Sequence, residues 1–440
     1  MTDARVRLWG RDIGAVSWIA DRGIGVFQYA PEFVTSRIEV APLTMPLVAR
    51  PYEFPELARE TFRGLPGLLA DSLPDKFGNA LIDAWLASHG REPASFNPVE
   101  RLCYIGTRGM GALEFEPAVP RNPDRRKRVE IDALVALANR VLDERVGLAG
   151  KLTGEDDAGV IEDILRVGTS AGGARAKAIL AFNEATGEFR SGQLPADRGF
   201  SYWLMKFDGV AGNRDREVAD PQGYGSIEYC YHLMAVAAGI EMSECRLHRE
   251  GGRAHFMTRR FDRAADGDKI HMQSLCAMRH FDFNQPGAYS YEQALMTIRQ
   301  LDLPMGAVEE QFRRAVFSVI ARDHDDHVKN IAFLMNRRGE WRLSPAFDVA
   351  YAYNPDGLWT SRHQMSINGK REDFELEDLV ALGAAGGIKR ARALGIVEEV
   401  DAAVARWPEL AAGAGVAEAR IVQVGKAHRR AASLRPENRR

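Results

Sequence analysis

Residues Asp323-His324-Asp325-Asp326-His327 place three carboxylates and two imidazoles in succession, and Val328-Lys329-Asn330 follows directly. In a core each ionisable group would need a partner or water, so the segment reads as a junction open to a ligand. Asp325 and Asn330 are five residues apart, which lets one orient a hydroxyl while the other holds a metal. A polar connecting loop would show the same composition. Eighteen residues beyond Asn330 comes Asp348, in Leu343-Ser344-Pro345-Ala346-Phe347-Asp348. Phosphoryl transfer from ATP uses such a set: an Asp near the acceptor hydroxyl, an Asn ligand, and a second Asp on Mg²⁺. A lone carboxylate after a strand is more often a turn or cap residue, but the ordered combination is more specific than either piece.

Such chemistry also needs a lysine for the phosphates. In Tyr202-Trp203-Leu204-Met205-Lys206-Phe207, alternation puts Tyr202, Leu204 and Lys206 on one strand face. A lysine in so apolar a strand needs an anionic partner or an edge position, and Glu228 in the next helix is a candidate partner. The alternative is a solvent-facing lysine on an edge strand. Further upstream, Gly168 to Lys177 carries Gly168, Gly172 and Gly173 with Arg175 and Lys177. Its glycines allow close backbone approach to phosphates, although it matches no standard phosphate-loop pattern and would serve equally as a turn between strands.

The elements that must position these residues follow from periodicity. Val6–Trp9, Ile13–Ile19 and Gly25–Tyr29 read as strands of a small antiparallel sheet, and Ala80–His89 as a helix. Pro117, Pro120 and Pro123 with the basic run at 125–128 suggest an exposed linker. Ile131, Leu134, Val135, Ala138, Val141, Leu142 and Val146 recur at helical spacing. Candidate strands follow at Ala176–Phe182, Tyr202–Phe207 and Arg253–Phe261, with a helix opened by Ser226 and closed by Gly239. Beyond residue 290 helices are expected at Tyr291–Leu301, Val308–Ala321, Glu375–Ala385, Val397–Ala405 and Ala417–Ser433. A strand pair, Ile331–Met335 and Trp341–Leu343, directly follows the polar segment.

The 440 residues suffice for two or three domains. With 58 Lys plus Arg against 61 Asp plus Glu, the net charge is −3, which argues against nucleic-acid binding over the whole surface. The scattered Cys103, Cys230, Cys245 and Cys276 form no C-x-x-C pair and suit a reducing compartment. The N-terminal MTDARVRLWGRD shows no secretory h-region, and no apolar run reaches membrane-spanning length. A cytoplasmic protein without membrane contact is expected.

In this order the motifs resemble the HipA family of bacterial serine/threonine kinases, the toxin half of HipA–HipB toxin–antitoxin pairs. The resemblance rests on FRGLPGLLADSLPDKFG, TSAGGARAK, WLMKF, RRFDR, DHDDHVKN and LSPAFD, and spans most of the chain. It implies an α+β, protein-kinase-like fold. Residues 1–117 would form an extra N-terminal subdomain, 118–262 a mixed α/β N-terminal lobe and 263–440 an all-helical C-terminal lobe. It implies ATP and Mg²⁺, with Asp325 as the base, Asn330 and Asp348 as metal ligands, and His327 and Lys329 beside the nucleotide. Lys206 would meet the phosphates and Glu228 would pair with it. Thr169, Ser170, Ala171, Gly172, Gly173, Ala174 and Lys177 match the family's nucleotide loop, Ser170 standing where autophosphorylation silences the enzyme. Met257–Phe261, with Arg259 and Phe261, would be the hinge against the adenine. The implied partners are a HipB-like helix-turn-helix antitoxin, operator DNA mainly through that antitoxin, and a protein substrate such as an aminoacyl-tRNA synthetase. The basic C-terminal tail reads as a solvated terminus.

Two rival readings come from other classes. A metal-dependent phosphohydrolase would use His324, Asp325 and His327 as ligands, leaving Lys206, Asp348 and the glycine-rich segment without a role. A catalytically silent partner of a DNA-bound antitoxin would be expected to have lost one of Asp325, Asn330, Asp348 or Lys206.

Overall fold

The computed structural model describes residues 2–74, 76–88, 90–118, 128–143, 175–210 and 223–435. The first sheet is antiparallel, with β1 (Thr2–Leu8), β2 (Arg11–Ile19), β3 (Ile24–Tyr29), β4 (Pro51–Tyr52) and β5 (Leu113–Glu116) in the order β4-β3-β2-β1-β5. Strand alternation buries Ala4, Val6 and Leu8 on one face of β1. The three strands expected from the sequence are present within a few residues of their expected ends.

The second sheet carries the lysine strand at its centre. Its order is β7-β6-β8-β10-β9, built from β6 (Lys177–Asn183), β7 (Glu188–Ser191), β8 (Phe200–Lys206), β9 (Cys245–Glu250) and β10 (Arg253–Arg259). Lys206 is thus not on an edge. Helices α1 (Lys76–Ser88) and α2 (Ile131–Asp143) share one apolar core with Ala178, Leu180, Trp203, Met205 and Met257 of this sheet. Helix α3 (Tyr224–Ala237) lies against β9 and β10 and turns Ile227, Cys230, Tyr231 and Met234 into the core of the C-terminal lobe.

The C-terminal lobe contains α4 (Tyr291–Gln300), α5 (Met305–Ala321), α6 (Leu376–Ala385), α7 (Arg390–Val404) and α8 (Glu418–Ala427). Besides its helices it holds a three-stranded sheet, β11 (His271–Ser274), β12 (Ala332–Met335) and β13 (Trp341–Leu343), with β12 in the middle. The expected long helix to Ser433 stops at Ala427, and a 3-10 turn follows at Ala431–Leu434. The cores divide differently from the expected segments. The first sheet shares a continuous core with the C-terminal lobe, whereas α1, from the same stretch of chain, packs into the middle lobe. Among the described residues no helix is long and apolar enough to cross a membrane. Of the basic run at 125–128 only Arg128 is described, paired with Glu130 at 3.2 Å.

Candidate active site

The site lies where the second sheet, α3 and the segment after α5 meet. Lys206 ends β8 and stands directly opposite Lys177 on β6 and Phe256 on β10, so the two lysines share a face. Its ammonium is buried and bonds both Glu228 of α3 and Asp348, which follows β13. Arg175 adds a second cation, 3.8 Å from Glu228 and 3.4 Å above the Tyr224 ring. Burial works against the Lys206 charge, but Asp348 and Glu228 outweigh it and hold the ammonium above its usual range. Asp348 is also desolvated, yet Lys206 and Lys177 keep it below the ordinary carboxylate range. One lysine cannot fully offset two carboxylates, and burial pushes the deeper Glu228 up.

The placement of Glu228 depends on how α3 begins. The helix starts at Tyr224, and Ser226, expected as its cap, is buried in its first turn. The cap comes from a distance: Asp208 accepts from Gly223 N at 2.9 Å and from Gly225 N at 3.5 Å, and ties the helix start to β10 by accepting from Ala254 N at 3.3 Å. Gly225 lets the helix close on β10, because a Cβ there would sit 2.0 Å from Ala254 O.

Helix α5 stops at Arg322, whose φ of +61° breaks the helical run, and the polar segment begins. The segment that reads as a junction open to a ligand is open only in part. Asp323, His324 and Asp326 are buried, the two aspartates still among the residues lining the cleft, while Asp325 and His327 line it with partly exposed side chains. Asp326 accepts from Tyr291 Oη at 2.9 Å, His363 Nδ1 at 2.7 Å and Gln364 N at 2.7 Å. His324 donates through Nδ1 to Thr360 O at 3.0 Å and packs against His363, ring centres 4.0 Å apart and planes tilted by 37°. Asp323 has one side-chain oxygen without a partner, and burial followed by Asp326 and Asp325 drives its pKa well up.

The Asp325 side chain is 42% exposed, and its Oδ1 accepts from Trp359 Nε1 at 2.8 Å. The enclosing walls raise its pKa, with His327, 3.7 Å away, opposing. Asn330 donates through Nδ2 to Asp325 O at 2.8 Å, which leaves its amide oxygen as a ligand atom. Asp325, His327, Asn330 and Asp348 line one cleft with Phe347 and Asp323. Asp348 adopts a φ of +58°, a conformation rare for a residue with a side chain. Asp348 and Asn330 supply hard oxygen donors, the kind Mg²⁺ takes from protein while phosphates complete its shell.

Other expected residues lie further out. Lys329 sits 5.2 Å from the centre of the Phe283 ring. The structure does not bring the Arg259 side chain to Lys206: it shares the opposite sheet face with Trp203 and lies 3.6 Å from Glu244. In the stretch expected as the hinge, the backbone amides of Arg259 and Arg260 donate to Glu244 O and Tyr202 O. Phe261 packs on Phe347 at 5.5 Å, beside Asp348. Thr169, Ser170, Ala171, Gly172, Gly173 and Ala174 lie outside the described residues. Sequence reasoning passed over Trp359, Asp208 and the Asp326–His363 pair. The turn signal Asn354-Pro355-Asp356-Gly357 just before Trp359 marks where the chain doubles back.

Comparison with known proteins fits this geometry. Residues 4–116 match the HipA N-terminal domain, and residues 169–407, more than half of the chain, match the HipA-like C-terminal domain. The chain belongs to the HipA family. HipA of Shewanella oneidensis MR-1, solved with HipB and its operator DNA, is similar in fold over 96% of this chain and 95% of its own, with TM-score 0.67 and 17% identity. The Helicobacter pylori proinflammatory kinase CtkA aligns over 58% of this chain and 93% of its own, at TM-score 0.33 and 12% identity, too low to carry an argument. No curated relative matches. Within the HipA fold, Lys206 and Glu228 come from the middle lobe, and Asp325, Asn330 and Asp348 from the C-terminal lobe.

Proposed function

We propose that this HipA-family chain is an ATP- and Mg²⁺-dependent serine/threonine protein kinase, the toxin of a toxin–antitoxin pair acting in the cytoplasm. The observation that carries the reading is Lys206 joined to Glu228 and to Asp348, and Asp348 lines one cleft with Asp325 and Asn330. In this reading Lys206 and Lys177 hold the ATP phosphates. Asp348 and Asn330 hold Mg²⁺, which would neutralise charge on the phosphates. Asp325 orients the acceptor hydroxyl and takes its proton. The acceptor oxygen forms a bond to the γ-phosphorus as the bond to the β-phosphate oxygen breaks, and ADP leaves. A HipB-like antitoxin that recruits the kinase to operator DNA, and a translation factor such as an aminoacyl-tRNA synthetase as substrate, complete the proposal. So does silencing by autophosphorylation of Ser170, to be read by mass spectrometry after incubation with ATP.

The phosphohydrolase reading needs His324 and Asp325 as ligands together. His324 instead turns into the protein to bond Thr360 O, so the reading loses half its pair. Incubating the purified chain with γ-labelled ATP, Mg²⁺ and a bacterial lysate tests the proposal. Label on protein bands is expected, and release of inorganic phosphate with no labelled protein would overturn it.

A further inference from the structure

Between Asp348 and Gln364 the chain makes a tight turn at residues 354–357. Gly357 N donates to Asn354 O at 3.1 Å and Asp356 N to Asn354 Oδ1 at 3.2 Å. Directly after it Leu358 is 98% exposed, whereas the next residue, Trp359, turns inward to Asp325 Oδ1. The following residues are pinned to the polar segment through Thr360 O, His363 and Gln364 N. A single exposed leucine needs no explanation on an ordinary surface. This one is held by a bonded turn, one residue from the side chain that grips the proposed base.

We propose that Leu358 and Trp359 read the protein acceptor. Leu358 contacts an apolar residue flanking the phosphorylated Ser or Thr, and Trp359 is a positioning residue that holds Asp325 by Oδ1 so that Oδ2 takes the hydroxyl proton. The occupant is an extended protein segment, because Leu358 stands outside the cleft. Only a chain continuing past the reacting hydroxyl reaches both. This inference rests on the kinase reading and sharpens it by naming an apolar flanking preference.

The test uses the full chain, γ-labelled ATP and a degenerate library of Ser- and Thr-centred peptides. Wild type is expected to favour Leu, Met, Phe or Val at one position beside the acceptor. Leu358→Ser should flatten that preference and lower kcat/KM for favoured peptides by about tenfold or more, the worth of burying a leucine. The loss should appear in the peptide KM, with the KM for ATP and the thermal midpoint unmoved. Trp359→Phe keeps the ring and removes the N–H, so kcat should fall several-fold with the peptide KM little changed. A merely structural role would instead shift both KM values and the thermal midpoint. Retention of the apolar preference in Leu358→Ser, full kcat in Trp359→Phe, or a wild type that labels peptides without positional preference each overturns the inference alone. A wild type that labels neither peptides, nor itself, nor any protein of a bacterial lysate overturns the kinase reading beneath it.

Discussion

Replacing Lys206 by Met keeps most of the side-chain volume and removes the charge that joins Glu228 to Asp348. Glu228 is 1% exposed, so the loss strands a carboxylate where water cannot replace the ammonium. Removing one partner of such a buried pair costs about 3–5 kcal/mol. Arg175, at 3.8 Å, favours the lower end. The dependence on pH has a definite sign. In the wild type Lys206 is raised and Asp348 lowered. The lysine's contribution is therefore present below its unfolded pKa of about 10.4, and the aspartate's above its unfolded value of about 3.9. The Lys206–Asp348 pair is thus intact across neutral pH. In the variant the stranded Glu228 is raised further, and a carboxylate raised on folding costs stability as pH climbs past its unfolded pKa of about 4.3. Urea unfolding without nucleotide should therefore show Lys206→Met far weaker than wild type at pH 8 and closer to it at pH 5. Adding Glu228→Gln should recover much of the loss at pH 8. A variant within about 1 kcal/mol of wild type at pH 8, the worth of an exposed pair, would refute the reasoning.

Three further outcomes follow from the same geometry. Asp325→Asn should lower phosphate transfer by about 10²–10⁴-fold while ATP affinity by calorimetry stays within a few-fold of wild type; equal loss of both in a folded variant contradicts its role as base. Asp348→Ala should weaken ATP binding much more with Mg²⁺ than without it, and titrations showing no such difference would remove it from the metal. Gly225→Ala must push α3 off β10, since its Cβ would meet Ala254 O at 2.0 Å. About 1–3 kcal/mol of destabilisation with weaker ATP binding is expected, and an unchanged melting curve would show that the close approach is dispensable.

What the sequence disclosed depended on how local the information was. Alternation in β1, β2 and β8 was legible because each strand buries one face against a single core. Strand β9, Cys245-Arg246-Leu247-His248-Arg249-Glu250, gave no such signal: as the sheet's edge it keeps polar residues half-exposed, and only Cys245 is buried. The α3 cap was misread for a related reason. Ser226 satisfies the local preference, but Asp208, fifteen residues before Gly223, supplies the oxygen through the fold. Lys206 and Glu228 could be picked out because a lysine in an apolar strand demands an anionic partner, and Asp325, Asn330 and Asp348 because their order and spacing suit phosphoryl transfer. The bond from Trp359 to Asp325 spans 34 residues, and nothing local marks it.

The buried half of the polar segment explains why its density could mislead. A carboxylate can be enclosed when donors replace its water, and Asp326 receives three of them, from Tyr291, His363 and Gln364. Two of those donors belong to the stretch that also carries Trp359, so closing the shell of Asp326 draws that stretch against the segment and sets the indole on Asp325. The residues pointing inward thus fix the geometry of those pointing outward. Neighbouring aspartates of the same type consequently have separable effects: loss of Asp326 removes the bonds from Tyr291, His363 and Gln364 that anchor the loop, whereas loss of Asp325 removes the single bond from Trp359 together with a carboxylate of the cleft.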